Sequence, residues 1–345
     1  SLLLEPSRTN LVTKSEYIGG WDAIGSTQTL INDTNPIDGV AYEIESSVTG
    51  SGSRIYQSGL MTAGSDYSSS YLVKPSANTP EYIGFACISN TAPDVLYDFA
   101  NDQFVDFNIA GNAAKCESIS MNNGWKLLKV PAHENVSNTR FNIYQGSRVG
   151  NGLQGTTGKS YYLKFAQLEQ GSYPTSYIPT YGVSQTRADE VCGGAGDVNT
   201  FNSTEGVLYV EVAALANGVG GAISLSDGTS NNYVYLYFHP SGTKIVAKIV
   251  VNSITVYDKN ITSLDEVNYN KIAFKYQDSS FKIFANGVNI SSLNQNSGNT
   301  FPINILNKLS FDNGAGSLDF YGNVKQVLTF KQALSDSELA ALTTI

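Results

Sequence analysis

The side chains that most often carry acid–base chemistry are scarce in this chain. His133 and His239 are the only histidines, and His239 sits in His239-Pro240-Ser241-Gly242-Thr243, a loop between two alternating segments. No G-x-S-x-G elbow occurs that would expose a nucleophilic serine. A glycosidase needs two carboxylates about 5 to 10 Å apart across a cleft. Glu43 and Glu45 share one face of an alternating segment, where a solvated strand face accounts for them. Gly193-Gly194-Ala195-Gly196 precedes neither a Lys-Ser/Thr pair nor a helix, so it does not read as a phosphate loop. Cys87, Cys116 and Cys192 lack C-x-x-C spacing, allow at most one intrachain disulfide, and read as free, partly buried thiols. The chain is expected not to be an enzyme.

Saccharide binding asks for different groups: aromatic platforms for the apolar face of a pyranose, and amides or carboxylates for its hydroxyls. The chain has 21 Tyr, 15 Phe and 2 Trp, with abundant Asn and Ser. Trp21, directly after Gly19-Gly20, reads as the leading exposed platform, and Tyr56, Tyr97 and Tyr144 as further ones; Trp125 reads as core. Asp227, before Gly228, and Asp312, before Asn313-Gly314, could supply oxygens to a structural calcium, with plain turns as the alternative and no EF-hand spacing present. The N-x-S/T sequons at Asn32, Asn135, Asn202, Asn260 and Asn289 read as chance in so Asn-rich a chain.

The elements that must hold these residues are strands. Period-2 alternation bounded by Gly, Asn, Asp and Ser recurs throughout. In residues 67–75 it puts Tyr71 and Val73 on one face, and Ser70 and Leu72 on the other. Residues 95–99 and 104–107 flank a hairpin turn at Ala100-Asn101-Asp102-Gln103, which scatters Asp94, Asp98, Asp102 and Asp106 over the turn and edges. Further strands are expected at 126–130, 161–168, 207–213, 233–238, 244–250, 254–257, 271–276, 281–285 and 318–330. Ser335-Asp336-Ser337-Glu338 is a capping box for a short closing helix.

At 345 residues the chain is expected to hold two domains. Residues 171–199 change character, with Pro174, Pro179 and several glycines. The expected division is 1–180, a linker over 181–200, and 201–345, both domains all-β sandwiches of jelly-roll type. The formal charge is −9, with 11 basic against 16 acidic residues up to Thr180 and 10 against 14 beyond it. Phosphate neutralisation of nucleic acid and docking on anionic lipid are therefore disfavoured. No apolar run of about 18 residues suggests a membrane span. The opening Ser1-Leu2-Leu3-Leu4 lacks the basic region of a signal peptide and reads as a cut point in a longer protein.

Two families resemble parts of the chain. Phe281-Lys282-Ile283-Phe284-Ala285-Asn286-Gly287-Val288, Val324 to Phe330, and Gln332-Ala333-Leu334-Ser335-Asp336-Ser337-Glu338-Leu339 are similar to the strand-turn and closing segments of concanavalin A-like, laminin-G-like domains. The first half resembles jelly-roll modules of bacteriophage tail and fibre proteins, themselves similar to family 4/9 carbohydrate-binding modules. That resemblance is carried by Leu2 to Leu11, Tyr71 to Pro75, Asn123-Gly124-Trp125, Gln167 to Thr180 and Thr186-Arg187-Ala188-Asp189. Lys126 directly follows Trp125, where Tyr-Arg commonly follows the Trp of that family. The E-x-D-x-x-E strand of laminarinase-type enzymes on the same sandwich is absent. The resemblance implies a virion-associated, extracellular tail-fibre or surface module that forms a homo-oligomer, such as a trimer. Its partners would be other virion proteins and a host surface polysaccharide bound as receptor. A ligand-free decoration module and a polysaccharide depolymerase are the alternatives.

Overall fold

The computed structural model describes residues 2–31, 41–86, 92–135, 139–278, 280–291 and 301–345. Cys87 and Asn32 lie outside the described residues, as do the side chains of His133 and Asn135. The chain is all-β and forms two sandwich units, one of Ser7–Ala188 and one of Ser1–Pro6 with Asp189–Ile345.

In the first unit, one antiparallel sheet runs in the order Gln103–Asp106, Val95–Asp98, Tyr82–Ala86, Arg140–Val149, Ser53–Ser58, Asp22–Ile24, with Gly152–Gln154 paired to Arg140–Val149 off this path. The facing sheet runs Glu117–Ser120, Lys126–Asn135, Ser65–Pro75, Ser160–Gln170, Ala41–Ser46, Ser26–Ile31. Alternation works as period-2 chemistry requires. Tyr71 and Val73 enter the central core, where the Tyr71 ring stacks on Phe85 with centroids 4.1 Å apart and on Phe141 at 5.6 Å. Leu72 faces the other way, into a smaller cluster with Trp125 and Phe165. The predicted hairpin forms, with Gln103 opposite Asp98 and Asp102 at φ +50°. Asp98 accepts from the amides of Ala100 and Asn101 at 2.9 and 3.1 Å, so this acid closes the turn.

Buried polar contacts join the two ends of this unit. Arg8–Asn10 pairs antiparallel with Gln185–Arg187. The fully buried Asn10 donates to the carbonyl of Ile178 at 2.8 Å and accepts from the amides of Val12 and Leu168 at 3.1 and 3.2 Å. Ser15 and Thr180 exchange two backbone-to-hydroxyl bonds of 2.9 Å, and the Thr180 hydroxyl donates to the carbonyl of Val12 at 2.5 Å. Glu169 accepts from the amide and hydroxyl of Thr175 at 2.7 and 2.6 Å and from Gln167 at 2.9 Å. Burial pushes its carboxyl pKa up, and these donors hold it partway down. Phe165 and Tyr177 stack at 3.7 Å. Residues 8–11, 167–180 and 186–187, which carry part of the tail-protein resemblance, thus have a structural role, since they close the unit.

The second unit packs the sheet Leu2–Leu4, Gly322–Phe330, Glu205–Ala214, Asn270–Gln277, Lys282–Ala285, Val288–Asn289 against Ile254–Ile261, Ile245–Val251, Tyr233–Phe238, Gly221–Ser226, Lys308–Ser310. The helix Asp336–Thr343 carries the predicted capping box between Ser335 and Glu338 and buries Leu339 on the outside of the first of these sheets, against Val207, Tyr209, Ala273 and Phe284.

The division differs from the sequence-based one in two places. Residues 2–4 do not belong with the first half: they form an edge strand on Gly322–Phe330, because Leu4 fills a place in the second core. Glu5 and Glu190 tie this crossing down, each backbone amide bonded to the other residue at 2.9 Å. The expected linker over 181–200 is divided at Ala188. Gln185–Arg187 is a paired strand, and beyond it Ala195 and Leu309 exchange amide–carbonyl bonds of 3.1 and 2.8 Å. The glycines here serve backbone pairing rather than slack.

Asn10→Ala leaves buried amides and a carbonyl without partners and is expected to cost about 2–4 kcal/mol, read in urea unfolding of the full chain as loss of the first unit's transition only. Leu4→Ala is expected to cost about 2–4 kcal/mol in the second unit alone. Fragments reporting on each unit by hydrogen exchange separate the two effects.

Candidate functional site

Three of the four aromatic platforms expected from the sequence are buried. Trp21 is 5% exposed. The Ile18–Gly20 turn delivers its ring inward against Phe141, at 5.9 Å, while its indole N–H donates to the carbonyl of Lys14 at 2.9 Å. Both needs of a tryptophan, apolar contact and a partner for its N–H, are met inside, so it offers no platform. Tyr97 faces the central core and donates its hydroxyl to Asp102 at 2.5 Å. Burial, with Asp102 adding to it, holds its hydroxyl pKa far above the usual range. Tyr144 is buried as well, but on the outside of its sheet. Trp125 is core, as read.

Tyr56, the fourth, is half-exposed, and the register brings it beside Tyr144. In the pairing of Arg140–Val149 with Ser53–Ser58, Asn142 lies opposite Tyr56 and Tyr144 opposite Arg54. Period-2 geometry then puts Arg54, Tyr56, Arg140, Asn142, Tyr144 and Arg148 on one face, away from Phe141 and Ile143 in the core. The Arg54 guanidinium lies 5.3 Å from the Tyr144 ring centroid, Arg140 5.1 Å from that of Tyr56, and Arg148 5.0 Å from that of Phe107. Arg54 also donates to the Tyr144 hydroxyl at 3.4 Å. Burial raises the pKa of that hydroxyl and Arg54 pulls it partway back.

The face has two halves. Toward Val95–Asp98, Ala86, Leu96, Tyr144 and Leu153 form an apolar cluster with Tyr82 and Phe107 packed on it. Gly84 permits this, because a Cβ there would lie 2.7 Å from Pro93. Toward Asp22–Ile24 the face is polar. Asn142 is fully buried, and while its amide nitrogen donates to the carbonyl of Arg140 at 3.0 Å, neither its carbonyl oxygen nor the buried Nε of Arg54 has a partner among the described residues. Each ring lies against a guanidinium and fixes it in place, and the donors of a guanidinium point along its own plane. Such a face can meet hydroxyls or carboxylates edge-on beside a half-exposed tyrosine ring. Arg54 and Arg140 escaped the sequence reading; their signal is alternation with Tyr56 and Tyr144 on two strands whose pairing only the fold reveals.

Asp227 and Asp312, the residues read as calcium candidates, each bond within their own turns. Asp227 closes its own turn, accepting from the amide and hydroxyl of Thr229 at 2.8 and 2.6 Å and from Asn232 at 2.8 Å. Asp312 is buried and accepts from the amide of Gly314 at 2.5 Å. Among the described residues, no group of three or more His, Cys, Asp and Glu side chains could hold a metal. His239 is bonded to Ser241 within its loop, Nδ1 to Oγ at 2.9 Å. Cys116 and Cys192 are free thiols, and burial pushes the Cys116 thiol up to about 12.

No family model matches the chain, and no curated protein matches it. Among solved structures, the CBM40 module of the Ruminococcus gnavus IT-sialidase is similar at 20% identity over 45% of this chain and 96% of its own, with a TM-score of 0.36. Mouse laminin alpha1 chain domains LG4-5 are similar at 8% identity over 89% of this chain and 96% of their own, with a TM-score of 0.28. The assignment of two β-sandwiches stands on the strand pairing itself.

Trp21→Ala is expected to destabilise the first unit by about 3–5 kcal/mol, measured by chemical denaturation. A wild-type unfolding midpoint would contradict its place in the core.

Proposed function

We propose that the chain is a glycan-adhesion module whose first unit holds a saccharide on the face of Arg54, Tyr56 and Arg140. One observation carries this reading. Of only five arginines in a chain of formal charge −9, three lie on one face of one sheet, each against an aromatic ring. Arginine donors fixed in place lose little rotamer freedom on binding, which suits weak, multidentate recognition of hydroxyl-rich ligands. The face presents guanidinium donors beside the edge of a half-exposed tyrosine ring, which is binding equipment. The setting we propose is the one the sequence resemblance implies: an extracellular or virion-borne fibre module, oligomeric, that adheres to host surface polysaccharide by repeating modest contacts and does not cleave it.

On an array of bacterial surface polysaccharides at physiological salt, the wild-type chain is expected to bind. Tyr56→Ala, or Arg54→Ala with Arg140→Ala, is expected to weaken binding about tenfold or more with the thermal midpoint preserved. Binding to no polysaccharide, or unchanged binding by both variants, would remove the proposal. Release of reducing ends from a bound polysaccharide would replace adhesion with depolymerisation.

A further inference from the structure

Among the described residues, the only aromatic side chains that stand exposed are Tyr17, at 60%, and Tyr181, at 76%. Both line the same cavity of the first unit, about 410 Å³ in volume, with Tyr42, Glu16, Lys14 and Thr180. An aromatic ring normally gains free energy by burial. That two tyrosines 164 positions apart in sequence are held in solvent at one concavity calls for a reason beyond packing.

The local fold builds the cavity from two sides. On one side, the Ile18–Gly20 turn brings Tyr17 over its own glycines. A Cβ at Gly20 would lie 2.7 Å from the Tyr17 ring and 3.0 Å from the Lys14 stem, and one at Gly19 would lie 2.8 Å from the Tyr42 ring. The glycine pair is therefore what lets both rings close in. Tyr17 and Tyr42 meet edge to face, centroids 6.3 Å apart at 78°, and the buried Tyr42 makes the floor. On the other side, Tyr181 follows Thr180, which is held by Val12 and Ser15, and Gly182 donates its amide to the carbonyl of Thr13 at 2.7 Å. The polar contacts that close the unit thus also set the far wall.

The polar groups decide what fits. Lys14 donates from its ammonium to the carbonyl of Gly20 at 2.9 Å. The Thr180 hydroxyl both donates, to Val12, and accepts, from Ser15. Glu16 accepts from the Tyr177 hydroxyl at 3.2 Å, and its charge raises the pKa of the neighbouring Tyr181 hydroxyl. A carboxylate offers about four lone-pair sites, so Glu16 retains acceptor capacity toward the cavity. One ammonium and one carboxylate balance, favouring a neutral ligand. Aromatic walls with a few fixed polar groups in a cavity of this size are the usual make-up of a small-molecule site.

We propose that this cavity is a second saccharide site, separate from the arginine face, that takes one neutral pyranose residue. Its C–H face lies against Tyr17 or Tyr181, and a ring hydroxyl donates to Glu16. The inference does not depend on the arginine face, since it rests on different residues.

Saturation-transfer NMR on the full chain tests it with the methyl glycosides of glucose, galactose and N-acetylglucosamine at millimolar concentration, beside choline chloride. Ring C–H protons of at least one glycoside are expected to receive saturation from the protein. Tyr181→Ala and Tyr17→Ala are each expected to weaken that binding about tenfold, and Glu16→Gln several-fold, with the unfolding midpoint of the exposed-tyrosine variants unchanged. The Arg54→Ala, Arg140→Ala chain is expected to keep the signal, so loss of polysaccharide binding there and loss here are told apart. No transfer to any glycoside, transfer unaltered in the Tyr17→Ala, Tyr181→Ala double variant, or transfer to choline alone would overturn the proposal.

Discussion

The first unit depends on the burial of Asn10. One side chain with no solvent contact satisfies a carbonyl after the last long strand and two amides, one of them within it. A buried amide group is costly unless every bond it can make is made in good geometry. That requirement leaves one arrangement of the segments 10–12, 167–168 and 178. Ser15 with Thr180, and Glu169 with Thr175, extend the same demand along the seam. Hydrophobic collapse alone would tolerate several registers for the strand Ser160–Gln170, but the seam admits one. From that register follow the central position of Ser65–Pro75 and the placement of Tyr71 between Phe85 and Phe141.

The opposing sheet shows a second constraint, because it has to serve two faces with one set of alternating positions. Phe141 and Ile143 supply the core, so Arg140, Asn142 and Tyr144 must face out. Guanidinium groups laid on rings let an outward tyrosine be largely covered without loss of a polar surface. The ring packs as though in a core while the charge above it stays hydrated. This is why Tyr144 is buried on a face that is nonetheless polar.

Elements governed by near neighbours were legible in the sequence: the 95–107 hairpin, the Tyr71/Leu72 alternation and the Ser335–Glu338 capping box all follow from spacing within a dozen residues. The site was much less so. Gly19-Gly20 signals a turn but not which neighbour the turn exposes; Trp21 went inward because the carbonyl of Lys14 awaited its N–H, and Tyr17 stayed out. Tyr56 and Tyr144 could be named as aromatics, yet their guanidinium partners come from strands some 86 positions apart along the chain, counted from Arg54 to Arg140, and no local pattern encodes that pairing. Leu2–Leu4 was placed with the first half because hydrophobicity does not say which core a segment enters.

Both junctions between the units, at Pro6 and at Ala188, flank the paired strands Arg8–Asn10 and Gln185–Arg187. The first unit is thereby an insertion whose two ends lie side by side, while the second unit holds both Leu2 and the closing helix. Tension applied along the chain from either side of both units would run through the second sandwich and pull the antiparallel Leu2–Leu4 strand away from Gly322–Phe330. The inserted sandwich would bear no mechanical load until that strand tore free. A folded unit hung outside the force path keeps its surface intact under pull, and the three-residue edge strand is the latch that keeps it there.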